Sequence, residues 1–408
     1  MHIGINAQLL SFSQNYRNGG ISRYIRYFLT GLALHPGPHE YTIFVNGPEV
    51  AAQLEVQHPQ LQFIPAAWPE SNPAARVAWE QLTLPTLIRQ RGIQLLHSPA
   101  NVLPEFLPHS CAGVVTLHDL AFLRMPEVLT RLKRAYHRTF TVRSLRRATM
   151  IIADSESTRR DLTELLEVSP QRIFTVYPCL DERFTQTVTD AEIQAFRGRH
   201  GLEQQFLLYL GTLEPRKNIP LLLDAYARFR QMTGMQIKLV LAGSKGWLYD
   251  AIFARVQQLD LENDVIFPGF VSDIEQPLWY HAASVFVYPS LYEGFGLPVA
   301  EALACGTPVV TSTISSLPEA GAGIALTVDP HDVEAMAAAL QRALSDTTLR
   351  AHCQAQAEAV HMRFSVAAMV EQTISVYEHA VALHVAQRQG SSLATIDKSK
   401  SLFRAGKE

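Results

Sequence analysis

The sequence predicts an α/β protein made of two doubly wound domains, and three observations carry that expectation. Short apolar runs alternate with amphipathic stretches along most of the chain, as they do when parallel strands are covered by helices on both faces. The alternation comes as two successive sets, one for each open sheet. The length of 408 residues exceeds one ordinary core and suits two units of roughly 180 residues each.

The elements follow in order. Strands of the first set are expected at residues 2–6, 41–45, 94–97, 113–117, 150–153 and 172–176. Those of the second set are expected at residues 206–210, 237–242, 264–267, 285–288 and 307–311. Apolar residues at helical spacing predict helices at 218–231 and 333–344, and a long one at 366–383. Pro178 and the polar run Asp181-Glu182-Arg183 interrupt the pattern and mark a linker over 177–189. The domains are therefore placed at residues 1–180 and 190–362, followed by a helical segment at 363–385. Residues 386–408 are polar, carry Gly390-Ser391-Ser392, and are expected to be disordered.

Composition narrows the class. A hydrophobic content of 47% with 18% charged residues describes a globular protein with well-filled interiors. A net charge of −3 argues against a general nucleic-acid partner. Cys111, Cys179, Cys305 and Cys353 are far apart and form no Cys-x-x-Cys pair. They suggest neither a disulfide framework nor a zinc site, and they fit a reducing compartment. The chain starts directly on a strand, without a basic segment leading into an apolar one, and holds no long apolar run. A cytoplasmic location is expected.

The most informative segment is Glu293-Gly294-Phe295-Gly296-Leu297-Pro298-Val299-Ala300-Glu301. It follows an apolar strand and precedes a helix, Ala302-Leu303-Ala304-Cys305-Gly306, that closes on a glycine cap. Strand, glycine loop and helix in that order aim backbone N–H groups and the positive end of a helix dipole at one point. A phosphate can sit there. Glu293 at the loop entrance and Glu301 in the first helical turn can grip hydroxyls on either side. Glu301 in that turn also has a plainer use, matching the dipole.

Other segments repeat the theme. Gly19 and Gly20 open a helix after the first strand, where they either let a ligand approach the backbone or make a plain turn. His118 closes the strand ending Thr116-Leu117, either beside a ligand or as a structural hydrogen-bonder. Asp119 would orient its imidazole or cap the next helix. In Gly211-Thr212-Leu213-Glu214-Pro215-Arg216-Lys217-Asn218, two cations stand at the start of a helix whose dipole opposes them. A negative ligand such as a phosphate would compensate. Ala242-Gly243-Ser244-Lys245-Gly246 follows the same logic with less specificity. Phe267-Pro268-Gly269-Phe270-Val271 forms either an apolar wall for a base or a simple strand and turn.

Taken in this order and spacing, the Gly-Gly pair, Gly-Thr-Leu-Glu-Pro-Arg-Lys-Asn, Phe-Pro-Gly-Phe-Val and Glu-Gly-Phe-Gly-Leu-Pro-x-x-Glu-Ala resemble the retaining glycosyltransferases of family 4. The resemblance covers residues 1–385 and is strongest in the second half. It implies the GT-B fold, two Rossmann-like domains facing each other across a cleft, with the last helix crossing back to the first domain. It implies transfer of a sugar from a nucleotide-sugar donor, GDP-mannose or a UDP-sugar, to a glycan or lipid-linked acceptor with retained configuration. On the same resemblance, Lys217 and Arg216 hold the donor pyrophosphate. Gly19, Gly20 and the loop of Gly294, Phe295, Gly296, Leu297 and Pro298 assist with backbone amides. Glu301 takes the ribose hydroxyls, Glu293 contacts the donor sugar near its reacting carbon, and His118 lies beside that sugar near its 6-position. Many relatives carry Arg where this chain has Thr212, and Arg216 is expected to supply that charge. The departing phosphate oxygen helps deprotonate the acceptor, so no acid–base pair is required. No cofactor and no metal are expected, and Asp-x-Asp occurs nowhere in the chain.

The acceptor side is less legible. Arg131, Lys133, Arg134, Arg138, Arg143, Arg146 and Arg147 fall in one stretch without an acid, with Leu132, Tyr136, Phe140 and Leu145 among them. This stretch is either a helix resting on anionic lipid, a peripheral membrane contact, or a solvated basic face over a buried stripe. A nucleotide-sugar epimerase of the same fold and a non-catalytic nucleotide-sugar-binding protein stay open as alternatives.

Overall fold

The computed structural model describes residues 1–13, 19–66, 72–128, 130–202 and 204–389. Asn18, the tail from residue 390 onward and the side chains of Arg131, Leu132 and Lys133 lie outside the described residues.

Two parallel sheets organise the chain. The first holds β1 (His2–Ala7), β2 (Glu40–Asn46), β3 (Leu61–Ala66), β4 (Leu95–Ser98), β5 (Ala112–Leu117), β6 (Met150–Ala153) and β7 (Ile173–Thr175), in the order β3-β2-β1-β4-β5-β6-β7. The second holds β8 (Phe206–Leu210), β9 (Lys238–Ala242), β10 (Val265–Gly269), β11 (Val285–Tyr288), β12 (Val309–Ser312) and β13 (Leu326–Val328), in the order β10-β9-β8-β11-β12-β13. Each order runs outward in one direction and then the other. The switch falls between β1 and β4 in the first sheet and between β8 and β11 in the second. In open α/β sheets a crevice for ligands lies at the carboxyl ends of such strands.

The apolar runs are buried on both faces. Along β5, Val114 joins one core cluster while Val115 and Leu117 join the other. The second sheet is enclosed in one continuous core that includes Tyr209, Leu241, Phe286 and Val287. The helix Val366–Arg388 belongs to the first sheet's core, where Met369, Val370, Tyr377 and Leu383 are buried. Its Val366 and Val370 lie on Gly31, where an added Cβ would fall 2.2 Å from Val366 Cγ1. Tyr377 also carries its hydroxyl to His97 Nδ1, 2.7 Å away.

The structure adds two strands that the sequence pattern does not separate from loop, β3 and β13. Both are sheet edges. β3 includes Pro65, and β10, at the opposite edge of the second sheet from β13, includes Pro268; a residue without N–H is tolerated where no further strand pairs. The helix after β11 also differs from expectation. It spans Leu297–Ala304 with Pro298 in its first turn, so Glu301 lies beyond that turn. The basic stretch is one helical run interrupted by a π turn, with Arg131–Tyr136, His137–Thr141 and Val142–Arg147 in succession.

Candidate active site

The carboxyl ends of the two sheets meet. The loop after β11 presses on the loop after β5, and a Cβ at Gly294 would sit 1.7 Å from the His118 carbonyl oxygen. Ser155 Oγ and Thr158 Oγ1, at the start of the helix after β6, donate to the Gly294 carbonyl at 2.6 and 3.2 Å. The Glu319 carboxylate of the second domain accepts the Glu156 and Ser157 N–H groups at 2.7 and 2.8 Å. It thereby satisfies free donors at the positive end of that helix. Only glycine at 294 permits this approach of backbone to backbone. Gly296 serves the chain differently, taking φ +103° just before the helix.

The loops after β8 and β11 build a charge cluster beside this contact. Lys217 Nζ donates to Glu293 Oε1 and to the Tyr288 hydroxyl, both at 2.6 Å. Arg216 Nη1 donates to Glu293 Oε2 at 2.9 Å, while Nη2 reaches Glu214 Oε1 at 3.0 Å. The cations therefore have carboxylate counter-charges within the protein itself, so a ligand is not needed to compensate them. Burial pushes the Glu293 carboxyl upward, but Arg216 and Lys217 outweigh it and hold the group at about 2. Burial and the neighbouring Arg216 lower the Lys217 ammonium, against the pull of Glu293.

Glu301 occupies a second polar position. Its Oε1 accepts from Arg23 Nη2 at 2.7 Å and its Oε2 from the Tyr280 hydroxyl at 2.8 Å. Arg23 comes from the helix Gly20–Leu34 of the first domain, so the pair crosses the cleft. Gly19 caps that helix with no side chain of its own, and a Cβ on Gly20 would meet nothing within 4 Å. The Phe295 side chain packs into the core, 5.1 Å from the Phe364 ring centroid. Leu297 and Pro298 form the first turn after Gly296.

His118 has both ring nitrogens occupied. Nδ1 lies 2.7 Å from Asp154 Oδ2, and Nε2 lies 2.8 Å from the Pro99 carbonyl. Both neighbours, a carboxylate and a carbonyl oxygen, are acceptors, an arrangement that favours the protonated ring. Burial opposes that charge, but Asp154 overrules it and the ring's pKa is raised. Asp119 does not orient the ring. Its carboxylate instead accepts from the N–H of Ala121, the first residue of the next short helix, at 3.0 Å.

Sequence reasoning missed Arg23, Asp154, Tyr280, Tyr288 and Tyr292. Tyr292 accepts from the Leu120 N–H at 3.1 Å and donates to Asp161 at 2.8 Å, another tie between domains. Asp154 had a signal, since it follows the last residue of β6. Arg23 and the tyrosines had none, because their partners are remote in sequence. Among the described residues, no group of three or more His, Cys, Asp or Glu side chains is placed to hold a metal.

Known proteins give this arrangement a family. The family 4 glycosyltransferase model matches residues 18–184, and the group 1 glycosyl transferase model matches residues 190–360. The chain is 35% identical over 286 residues to O-antigen chain mannosyltransferase B of Escherichia coli, covering 70% of this chain and 74% of that one. It is 32% identical to the serotype-specific mannosyltransferase WbdA of Escherichia coli, over 54% of this chain but only 27% of that longer protein. Sucrose-phosphate synthase from Thermosynechococcus elongatus shares the fold at TM-score 0.71 and 23% identity, covering 93% of this chain and 99% of that one. These likenesses, met by two apposed doubly wound domains of GT-B architecture, place the chain among the group 1 glycosyltransferases.

Proposed function

We propose that this protein transfers mannose from GDP-mannose to a glycan or lipid-linked glycan, with retained configuration and without a metal ion. The observation that carries the chemistry is the Arg216–Lys217–Glu293 cluster at the carboxyl ends of β8 and β11. Breaking a glycosyl–phosphate bond puts negative charge on the pyrophosphate and positive charge on the sugar ring. Lys217, Arg216 and the amides before the Leu297–Ala304 helix are fixed dipoles and charges suited to the first. Glu293, held ionised by those same cations, suits the second. The donor phosphate would share Lys217 with Glu293, and Glu301 would take the ribose. Gly20 supports a phosphate approach, because the packing of the described residues does not itself demand glycine there.

His118 acts in this reading as a fixed cation at the sugar end of the site. Both of its nitrogens are hydrogen-bonded within the protein, so the acceptor's proton is assigned elsewhere. The departing phosphate oxygen would take the acceptor's proton on the same face. Apposed domains would exclude water and favour transfer over hydrolysis.

Likeness to two mannosyltransferases supports mannose as the sugar and a glycan as the acceptor. Arg138, Arg143, Arg146 and Arg147 are exposed on the first domain and would serve a lipid-linked acceptor at an anionic surface. Among the described residues no helix is long and apolar enough to cross a membrane. The function is tested by thermal shift against GDP-, UDP- and ADP-sugars, since a ligand of the native state raises its midpoint. A shift with GDP-mannose alone is expected. A shift with UDP-sugars only would move the assignment to another donor.

A further inference from the structure

We propose that Arg23 is a positioning residue for the donor nucleotide: from the first domain it sets the Glu301 carboxylate to receive the two vicinal hydroxyls of a ribose. The proposal rests on the assignment of Glu301 to the ribose made above. The Glu301 side chain is 2% exposed, and a buried charge of that kind needs partners. It has one on each oxygen, Arg23 Nη2 at 2.7 Å on Oε1 and the Tyr280 hydroxyl at 2.8 Å on Oε2.

An ionised carboxylate offers about four acceptor positions, two on each oxygen. With one position filled on each, each oxygen keeps the capacity to accept one further donor. The chemistry that fits is two hydroxyl donors on adjacent carbons, a cis-diol. The protein donors also fix the carboxylate plane, which otherwise turns easily about its last torsion. Arg23 is itself held in place by its helix. Arg26, on the next turn, meets Asp273 at 3.1 Å, and Tyr27 accepts from Arg183 at 3.1 Å. The diol clamp is therefore complete only when the two domains are apposed. Nucleotide binding in the second domain and closure of the cleft become linked.

The test compares GDP-mannose with its 2′-deoxyribose counterpart, by steady-state kinetics and thermal shift, in wild type and variants. Wild type should prefer the ribonucleotide by about tenfold, the loss expected when one hydrogen bond to a charged acceptor goes. Glu301→Gln should erase most of that preference. Arg23→Gln should reduce it toward unity through the donor KM, and Arg23→Lys should retain part of it. Tyr280→Phe probes the second oxygen without touching the domain contact, and it too should lower the preference. If Glu301→Gln keeps the wild-type preference, the ribose assignment fails and takes this proposal with it. If Glu301→Gln loses the preference but Arg23→Gln keeps it while melting earlier, Arg23 is only a strut between domains and the proposal is overturned.

Discussion

Replacing Gly294 with alanine should disable transfer by forcing the two domains apart. The added Cβ would lie 1.7 Å from the His118 carbonyl oxygen and 2.8 Å from its carbon. A comfortable carbon–oxygen approach is about 3.3 Å or more, so the two loops must part by about 1.6 Å. Both sides of the clash are backbone, and neither can rotate away. Overpacking of this kind costs about 1–3 kcal/mol. Parting the loops also loosens the bonds from Ser155 and Thr158 to the Gly294 carbonyl. A misplacement of about 1 Å at a reacting centre can cost about 100-fold in rate. Lys217 and Glu293 belong to the second domain, whereas Glu301 is held by Arg23 of the first, so kcat should fall and the donor KM should rise with it as Arg23 draws away. The assay is steady-state transfer alongside a melting curve. A kcat within about threefold of wild type and an unchanged midpoint would refute the idea that these loops touch during turnover.

Lys217→Ala should weaken donor binding and turnover by about tenfold or more through loss of a charge-assisted phosphate contact; a folded variant with unchanged constants would remove Lys217 from the site. The Glu293 carboxyl is held near 2 against an ordinary value of 4.5. Its folded pKa is depressed, so its contribution, about 3 kcal/mol at most, is present above 4.5 and lost as pH falls toward 2. In acid titrations the stability difference between wild type and Glu293→Gln should shrink as pH falls through that window, and parallel curves would contradict the cluster's charge state. Ending the chain after Phe364 should expose the sites of Val370, Tyr377 and Leu383 and give an insoluble or early-melting protein, whereas a soluble, fully active product would show the last helix to be dispensable. Binding to anionic vesicles should be released by added salt, since such contacts are screened over about 10 Å at 0.1 M; equal partition onto neutral vesicles would leave the exposed arginines as a solvated face.

Much of the fold was legible because parallel strands buried on both faces read as unbroken apolar runs. Leu207, Val240 and Phe286 are central examples, each fully enclosed. The edge strands β3 and β13 escaped, since their half-exposed residues carry neither a clear run nor a clean alternation. Residues that gather at the candidate site were legible where local chain chemistry places them, as at Gly294, Gly296, Arg216 and Lys217. They were illegible where the partner arrives from the other domain. Arg23 reads as one more polar position on an amphipathic helix until Glu301, 278 positions away, is placed beside it. The ring partners of His118, Asp154 and Pro99, were illegible for the same reason, since only the topology of β4, β5 and β6 brings them together.

The most direct test of the account is the product itself. The full-length protein is incubated with GDP-mannose and a mannose-terminated oligosaccharide in the presence of a chelator, and the new linkage is read by NMR. The account predicts one GDP released for each mannose added and an α-linked product, the configuration of the donor. A β-linked product, strict dependence on a metal ion, or conversion of the nucleotide sugar without transfer would contradict it.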